Sequence, residues 1–174
     1  MLSGPLYLVK GLIRFQAMSA PLIGEGYRGV DGRTGYLLRQ TWQAFSSAME
    51  SALRPHGLTG AQYAVLSVLA RDPDLSGADL ARACNTTPQA MNGVLVTLER
   101  DGAVQRRPHP THGRILQASL TDEGRRRLKA ATPAVQELEA IIEADLAADA
   151  IAGIKAWLVT SAKRLEAAAT TRQG

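Results

Sequence analysis

Between residues 87 and 108 the chain reads TPQAMNGVLVTLERDGAVQRRP, and the fold follows from how this stretch begins and ends. Thr87 ahead of Pro88 sets an N-cap hydroxyl before a proline at the first helical position, where the missing N–H costs nothing. Gly102 supplies a left-handed stop at the other end. At 100° per residue, Met91, Val94, Leu95 and Leu98 cluster on one side of this helix, while Gln89, Gly93, Val96 and Arg100 lie opposite, flanked by Asn92 and Thr97. One face is built for a core. The other is short, polar and uncharged until Arg100.

Upstream, Ser76-Gly77-Ala78-Asp79 offers a cap for a short helix through Leu80, Ala83 and Cys84, and Asn85-Thr86 turns the chain into the helix just described. Further back, Thr59-Gly60-Ala61-Gln62 has the form of a capping box, followed by the buried stripe Val65, Leu66, Val68 and Leu69. Before it, Leu38, Trp42, Phe45, Met49 and Leu53 recur every three or four residues until Pro55-His56-Gly57 stops the helix. Downstream, Val104 to Arg107 and Arg114 to Leu120 read as a β-hairpin around Pro108-His109-Pro110-Thr111-His112-Gly113. Thr121 then caps a long helix that opens with Asp122-Glu123 and carries Leu128, Val135, Leu138, Ile142 and Leu146 past an expected kink at Pro133. Ile151, Ile154, Trp157, Leu158, Ala162 and Leu165 mark a final helix. The N-terminal part differs: Gly24, Gly26, Gly29, Gly32 and Gly35 read as a loop, and Leu6, Val9, Ile13 and Ala17 keep the helical spacing of a short amphipathic arm, with a flexible, frayed tail as the alternative.

The expected fold is mainly α with a small β-hairpin wing, a winged helix-turn-helix between N- and C-terminal dimerisation helices. An extension spans 1–35 and the main domain 36–174, with the winged helix-turn-helix at 58–120 and the dimerisation helices at 36–54 and 122–168. Composition narrows the function. The 174 residues carry 20 Lys and Arg against 16 Asp and Glu, a net charge of +4 that makes acidic partners plausible. A lone Cys84 excludes an internal disulfide and fits a reducing, cytoplasmic setting. No apolar run approaches the ~20 residues of a membrane span, and Arg14 interrupts the N-terminal one, so neither a membrane partner nor a secretory leader is expected.

A short helix, a tight turn, a well-capped second helix and then a basic hairpin form a winged helix-turn-helix, whose second helix enters the DNA major groove. Gln and Asn amides donate and accept together, which suits bidentate pairing with adenine, and Gly93 lets the backbone approach the duplex. From Val104 to Lys129 there are seven basic residues against two acidic, a local excess larger than the net charge of the whole chain. Double-stranded operator DNA is therefore the expected partner. Its contacts would come from Thr87, Gln89, Ala90, Asn92, Gly93 and Val96 on the helix and from Arg106, Arg107 and Arg114 on the wing. The bland alternatives are a polar surface helix and a solvated run of charge.

Leu80-Ala81-Arg82, the Thr87–Pro108 stretch and Leu120-Thr121-Asp122-Glu123-Gly124-Arg125 together resemble the MarR family of bacterial transcriptional regulators, over roughly Tyr36 to Leu165. The resemblance implies a homodimer built from the terminal helices, a recognition helix at Pro88–Asp101, a wing arginine at Arg114, and in many members a small phenolic or aromatic effector. One departure stands out. The family's wing commonly reads like DPxDRR, with an Asp that holds the arginine, whereas this chain reads HPTHGR and offers His109 and His112.

Leu38, Trp42 and Phe45 near one end, with Ile151, Ile154, Trp157, Leu158 and Leu165 near the other, form apolar stripes expected to meet across a two-fold axis. Trp42, Phe45, His56 and Tyr63, where the first two helices meet, are the candidate effector residues, with a plain core role as the alternative. Cys84 reads better as a small core residue than as a redox sensor, and His109 with His112 lack the further ligand a metal needs. No metal, cofactor or catalytic residue is expected, since the chain has no phosphate loop, GxSxG elbow or HExxH. The reading is a ligand-responsive repressor on a pseudo-palindromic operator. Its rival is a winged-helix protein-interaction module that does not read DNA.

Overall fold

The computed structural model describes residues 8–9, 12–13, 20–111 and 113–171. Their elements in chain order are β1 (Leu8–Val9), β2 (Leu12–Ile13), α1 (Thr34–Leu53), α2 (Gly60–Arg71), β3 (Leu75–Ser76), α3 (Gly77–Ala83), α4 (Pro88–Arg100), β4 (Val104–Pro108), β5 (Leu116–Leu120), α5 (Asp122–Glu143) and α6 (Ala148–Thr171), with 3-10 turns at Gly26–Arg28 and Arg54–His56. The chain is mainly helical with one small three-stranded antiparallel sheet, and it falls into two compact units, 1–46 and 47–174.

In the first unit β1 pairs antiparallel with β2, Val9 opposite Leu12. The helical spacing expected through Val9 and Ile13 is therefore not realised. Aliphatic residues on both sides of a Lys-Gly pair serve a hairpin as well as a helix, and a four-residue spacing alone cannot separate the two. Leu6 and Ala17 lie outside the described residues. The glycine-rich loop is tied to α1 by Arg28, whose Nε donates to Gln40 Oε1 at 2.9 Å and whose Nη1 donates to Pro21 O at 3.0 Å; Gln40 Nε2 donates back to Arg28 O at 3.1 Å. Tyr27 meets Tyr36 edge to face.

The second unit holds the core. Leu53, Val65, Leu66, Leu80, Met91, Leu98 and Val104 are fully enclosed, drawn from the end of α1 and from α2, α3, α4 and the sheet, and α5 adds Ala131 and Val135. Each cap read from the sequence is formed. Thr59 and Gln62 make the reciprocal capping box of α2, Ser76 and Asp79 that of α3, and Thr87 Oγ1 accepts from Ala90 N at 3.2 Å. Sheet order is β3-β5-β4, with Val104 opposite Leu120 and Arg106 opposite Ala118, while Leu75 joins the other edge opposite Ala118. Strand β3 was not anticipated, because two residues are too few to show a period of two.

The junction at Thr121 explains a motif. Its hydroxyl donates to Gly102 O at 2.7 Å and accepts from Gly124 N at 3.1 Å, so one side chain links the stop of α4 to the start of α5. A Cβ at Gly124 would lie 2.1 Å from Ala103 O, so only glycine lets α5 pass this close to β4. Gly102 itself sits at φ +70°, the left-handed stop expected of it. Helix α5 continues through Pro133 and ends at Glu143, earlier than the expected stripe to Leu146, because Ala144 is extended and Asp145 takes φ +62°. No helix among the described residues is long and apolar enough to cross a membrane.

Candidate nucleic-acid interface

Helix α4 is oriented by what it buries. Met91, Leu95 and Leu98 are at most 3% exposed, which turns Gln89, Ala90, Asn92, Gly93, Val96 and Arg100 outward. Asn85, at φ +50°, makes the tight turn from α3 into α4. Thr87 is exposed, but its hydroxyl is already engaged as the cap. Thr97 Oγ1 donates to Gly93 O at 3.1 Å, and nothing lies within 4 Å of the place a Cβ at Gly93 would occupy. From Gln89 to Val96 the outward face thus carries no charge and is open.

Beside it runs a groove of about 380 Å3 lined by the start of α3 at Ser76 to Ala78, by Pro88, Asn92 and Leu95 of α4, and by Arg106, Arg114, Ile115, Leu116 and Ala118 of the sheet and wing. Asn92, Arg106 and Arg114, far apart in sequence, are brought together here. Ile115 and Leu116 are each 44% exposed; the sequence places Leu116 in the apolar alternation of the strand with Ala118 and Leu120, but at the wing end it is not covered as they are. At the wing, His109 N donates to Ile115 O at 2.7 Å, and His109 Nδ1 accepts from Thr111 N at 3.1 Å. His112 lies outside the described residues.

The charge differs from its linear count. Arg106 is not free: its side chain is only 19% exposed, Nε donates to Glu99 Oε2 at 2.8 Å, and Nη2 reaches the same oxygen. Arg125 pairs with Asp122, and Glu123 takes both Arg126 and Arg127. Arg127 also turns inward, donating to Asp101 O at 3.3 Å. The hydrogen bond from Arg127, then the charges of both arginines, hold the Glu123 carboxyl below its ordinary range. Among the described residues of 104–129, Arg107, Arg114 and Lys129 have no acidic partner; Arg114 lines the groove beside α4, and Arg107 is exposed on β4 with Nη2 donating to Gln105 Oε1 at 3.1 Å. The acids that open α5 are already in the count along the chain; what that count leaves out is Glu99, outside 104–129, which engages Arg106.

The other candidates separate. Trp42 is 65% exposed and tilts against the half-buried Phe45, with ring centroids 6.3 Å apart. His56 is half-buried on its 3-10 turn, and Tyr63 packs against the core from α2. Ser46, beside Phe45, has an enclosed hydroxyl without a hydrogen-bond partner among the described residues. Leu38 is exposed. Helix α6 buries no residue at all: Ile151 is half-buried, and Ile154, Trp157, Leu158 and Leu165 are exposed, as are Ile141, Ile142 and Val159. Burial pushes the Cys84 thiol up, away from the reactive thiolate. No group of three or more His, Cys, Asp or Glu suited to a metal occurs among the described residues.

A helix-turn-helix with a three-stranded wing defines a winged-helix DNA-binding protein. The MarR family model matches residues 56–115. The transcriptional repressor Rv2887 of Mycobacterium tuberculosis is 42% identical over 118 residues, 68% of this chain and 85% of the relative. Its crystal structure in complex with DNA is similar at a TM-score of 0.59 with 37% identity, covering 74% of this chain and 96% of that one. Its complex with salicylic acid gives 0.60 with 39% identity, covering 75% and 97%. The chain belongs to the MarR family of winged-helix transcriptional regulators.

Proposed function

We propose that the protein is a homodimeric repressor that binds a pseudo-palindromic operator and is released by a small aromatic or phenolic ligand. The observation that carries the reading is the outward, amide-bearing face of α4 with Arg114 of the wing beside it and Arg107, likewise without an acidic partner, on β4. Gln89 and Asn92 read bases; Ala90, Gly93 and Val96 let the duplex come close; Thr87 orients the helix start; Arg107 and Arg114 meet phosphates. Residues 58–120 form the reading head, 36–54 and 122–168 hold two heads together, and 1–35 is an appended segment. A single short face reads only a few base pairs, so two heads about one helical turn (~34 Å) apart are needed for discrimination. The open faces of Leu38, Trp42 and Phe45 and of Ile151, Ile154, Trp157, Leu158 and Leu165 support a second copy as the covering partner.

The relative's complex with salicylic acid supports an aromatic acid as the ligand class. Trp42, Phe45, His56 and Tyr63 are the residues proposed to contact it. Ser46 supplies an unsatisfied hydroxyl next to Phe45 that a polar ligand atom would satisfy. Such a ligand acts only through preferring the DNA-incompetent state. A coupling of about 1–3 kcal/mol weakens operator binding roughly 5–150-fold, and operator weakens the ligand equally.

The test uses duplexes from the region upstream of the protein's own gene, titrated at several salt concentrations, with and without salicylate. Tight binding of an inverted repeat that weakens steeply with salt, and further with salicylate, is expected. Salicylate binding followed by Trp42 fluorescence in a Trp157→Phe background, repeated with the duplex bound, reads the coupling from the other side. Salt-independent association with protein only would favour an interaction module, and salicylate affinity unchanged by DNA would remove it as inducer.

A further inference from the structure

We propose that the Glu99–Arg106 ion pair braces helix α4 against the wing, making Glu99 a positioning residue for base reading although it need touch no DNA. The inference rests on the DNA-reading role of α4 given above. Asn92 and Glu99 lie two helical turns apart, and a seven-residue step returns to within about 20° of the same angular position. Any rotation of α4 about its axis therefore moves both together. Glu99 is gripped through Oε2 by two nitrogens of Arg106, and Arg106 stands on β4 opposite Ala118, in the regular part of the sheet. The same Arg106 side chain lines the groove together with Asn92 and Arg114.

The pair thus ties the last turn of α4 to a strand residue that lines the groove beside the reading face. The core face of α4 fixes the helix against α2 and α3 through apolar side chains, whose attraction is non-directional. A two-nitrogen grip on one carboxylate oxygen supplies the direction that aliphatic packing lacks. Arg106, at 19% exposure, is accordingly a structural cation rather than a phosphate contact, and phosphate neutralisation falls to Arg107 and Arg114.

The two roles open to Glu99 predict different outcomes. An acid that merely faces DNA repels phosphate, so its removal strengthens every duplex equally. A brace fixes register, so its removal harms the specific duplex and leaves the random one intact or better bound. The experiment compares a duplex enriched from a random-sequence pool by the wild-type chain with an unselected pool of the same length, using E99Q, E99D, E99R, R106E and the exchanged pair E99R with R106E. Thermal unfolding of each variant establishes that it is folded. For E99Q the specific-to-random affinity ratio is expected to fall about tenfold, within the discrimination carried by a bidentate base contact. The salt slope should steepen by about one unit as Arg106 is released toward phosphate. E99D, which keeps the charge on a shorter arm, should lose less, and the exchanged pair should recover most of the ratio lost by either reversal alone. Equal strengthening of both duplexes by E99Q, or an exchanged pair no better than its single variants, overturns the brace. A wild-type chain that enriches no duplex removes the DNA reading itself and the brace with it.

Discussion

Helices α4 and α6 are both amphipathic, yet α4 encloses Met91, Leu95 and Leu98 almost completely while α6 encloses nothing. Trp157 and Leu158 remain nearly half exposed. An apolar stripe therefore carries two meanings. On α4 it anchors a polar face that must be held still; on α6 it is surface that the single chain leaves uncovered. Periodicity cannot distinguish these, because the hydrophobic effect is indifferent to whether the covering atoms come from the same chain or another.

The sharpest way to break this contrast is to make one substitution in both helices. Leu98→Ala should cost about 2–5 kcal/mol of folding stability, as expected for an enclosed leucine, and the loss should not depend on protein concentration. Leu158→Ala should cost less at high dilution and should instead lower the dimer's affinity, read by sedimentation and by denaturation at two protein concentrations. Equal, concentration-independent losses would mean that α6 is covered within its own chain.

Two glycines sharpen the contrast between what is buried and what is presented. Gly124→Ala forces a Cβ onto the Ala103 carbonyl and should destabilise the fold by about 1–3 kcal/mol in thermal or urea unfolding. Gly93→Ala meets only open space inside a helix and should stabilise the fold by about 0.5–1 kcal/mol while weakening DNA binding, because the added methyl stands where the duplex approaches. A stabilised variant with unchanged DNA affinity would remove Gly93 from the reading face.

Within that face, Asn92→Ala should cost about 1–3 kcal/mol on the specific duplex and little on random DNA. Arg107→Ala should weaken both and flatten the salt slope by about one unit. The smallest effect concerns acid. The Ser76 hydroxyl, followed by the Ser76 backbone N–H and Arg82, holds the Asp79 carboxyl below its ordinary range, as the Arg127 hydrogen bond does for Glu123. Both groups are half-buried and have lowered values in the folded state. Their contribution is present above the ordinary carboxylate range and is lost as pH falls from that range through the lowered folded-state values. Asp79→Asn and Glu123→Gln should therefore be less stable than wild type at neutral pH and converge with it in acid unfolding curves.

Most of the helical scaffold was legible because its signals are local. Thr59, Ser76, Thr87 and Thr121 each cap the helix they precede, and the outward face of α4 follows from its four apolar residues alone. These interactions close within three or four residues, so the chain needs no distant partner to form them. Three-dimensional packing alone decided the rest. Strand β3 exists because Leu75 and Ser76 reach β5, some forty residues on. Arg106 belongs to Glu99 rather than to solvent, and Arg127 to Glu123 and Asp101, so the outward charge shrank from a long basic run to a few side chains. The groove that joins Asn92 to Arg114 likewise appears only when the sheet folds beside α4. Caps and periodicity are properties of neighbours along the chain, whereas the sign and direction of a charge depend on which residues the fold brings within a few ångströms of it.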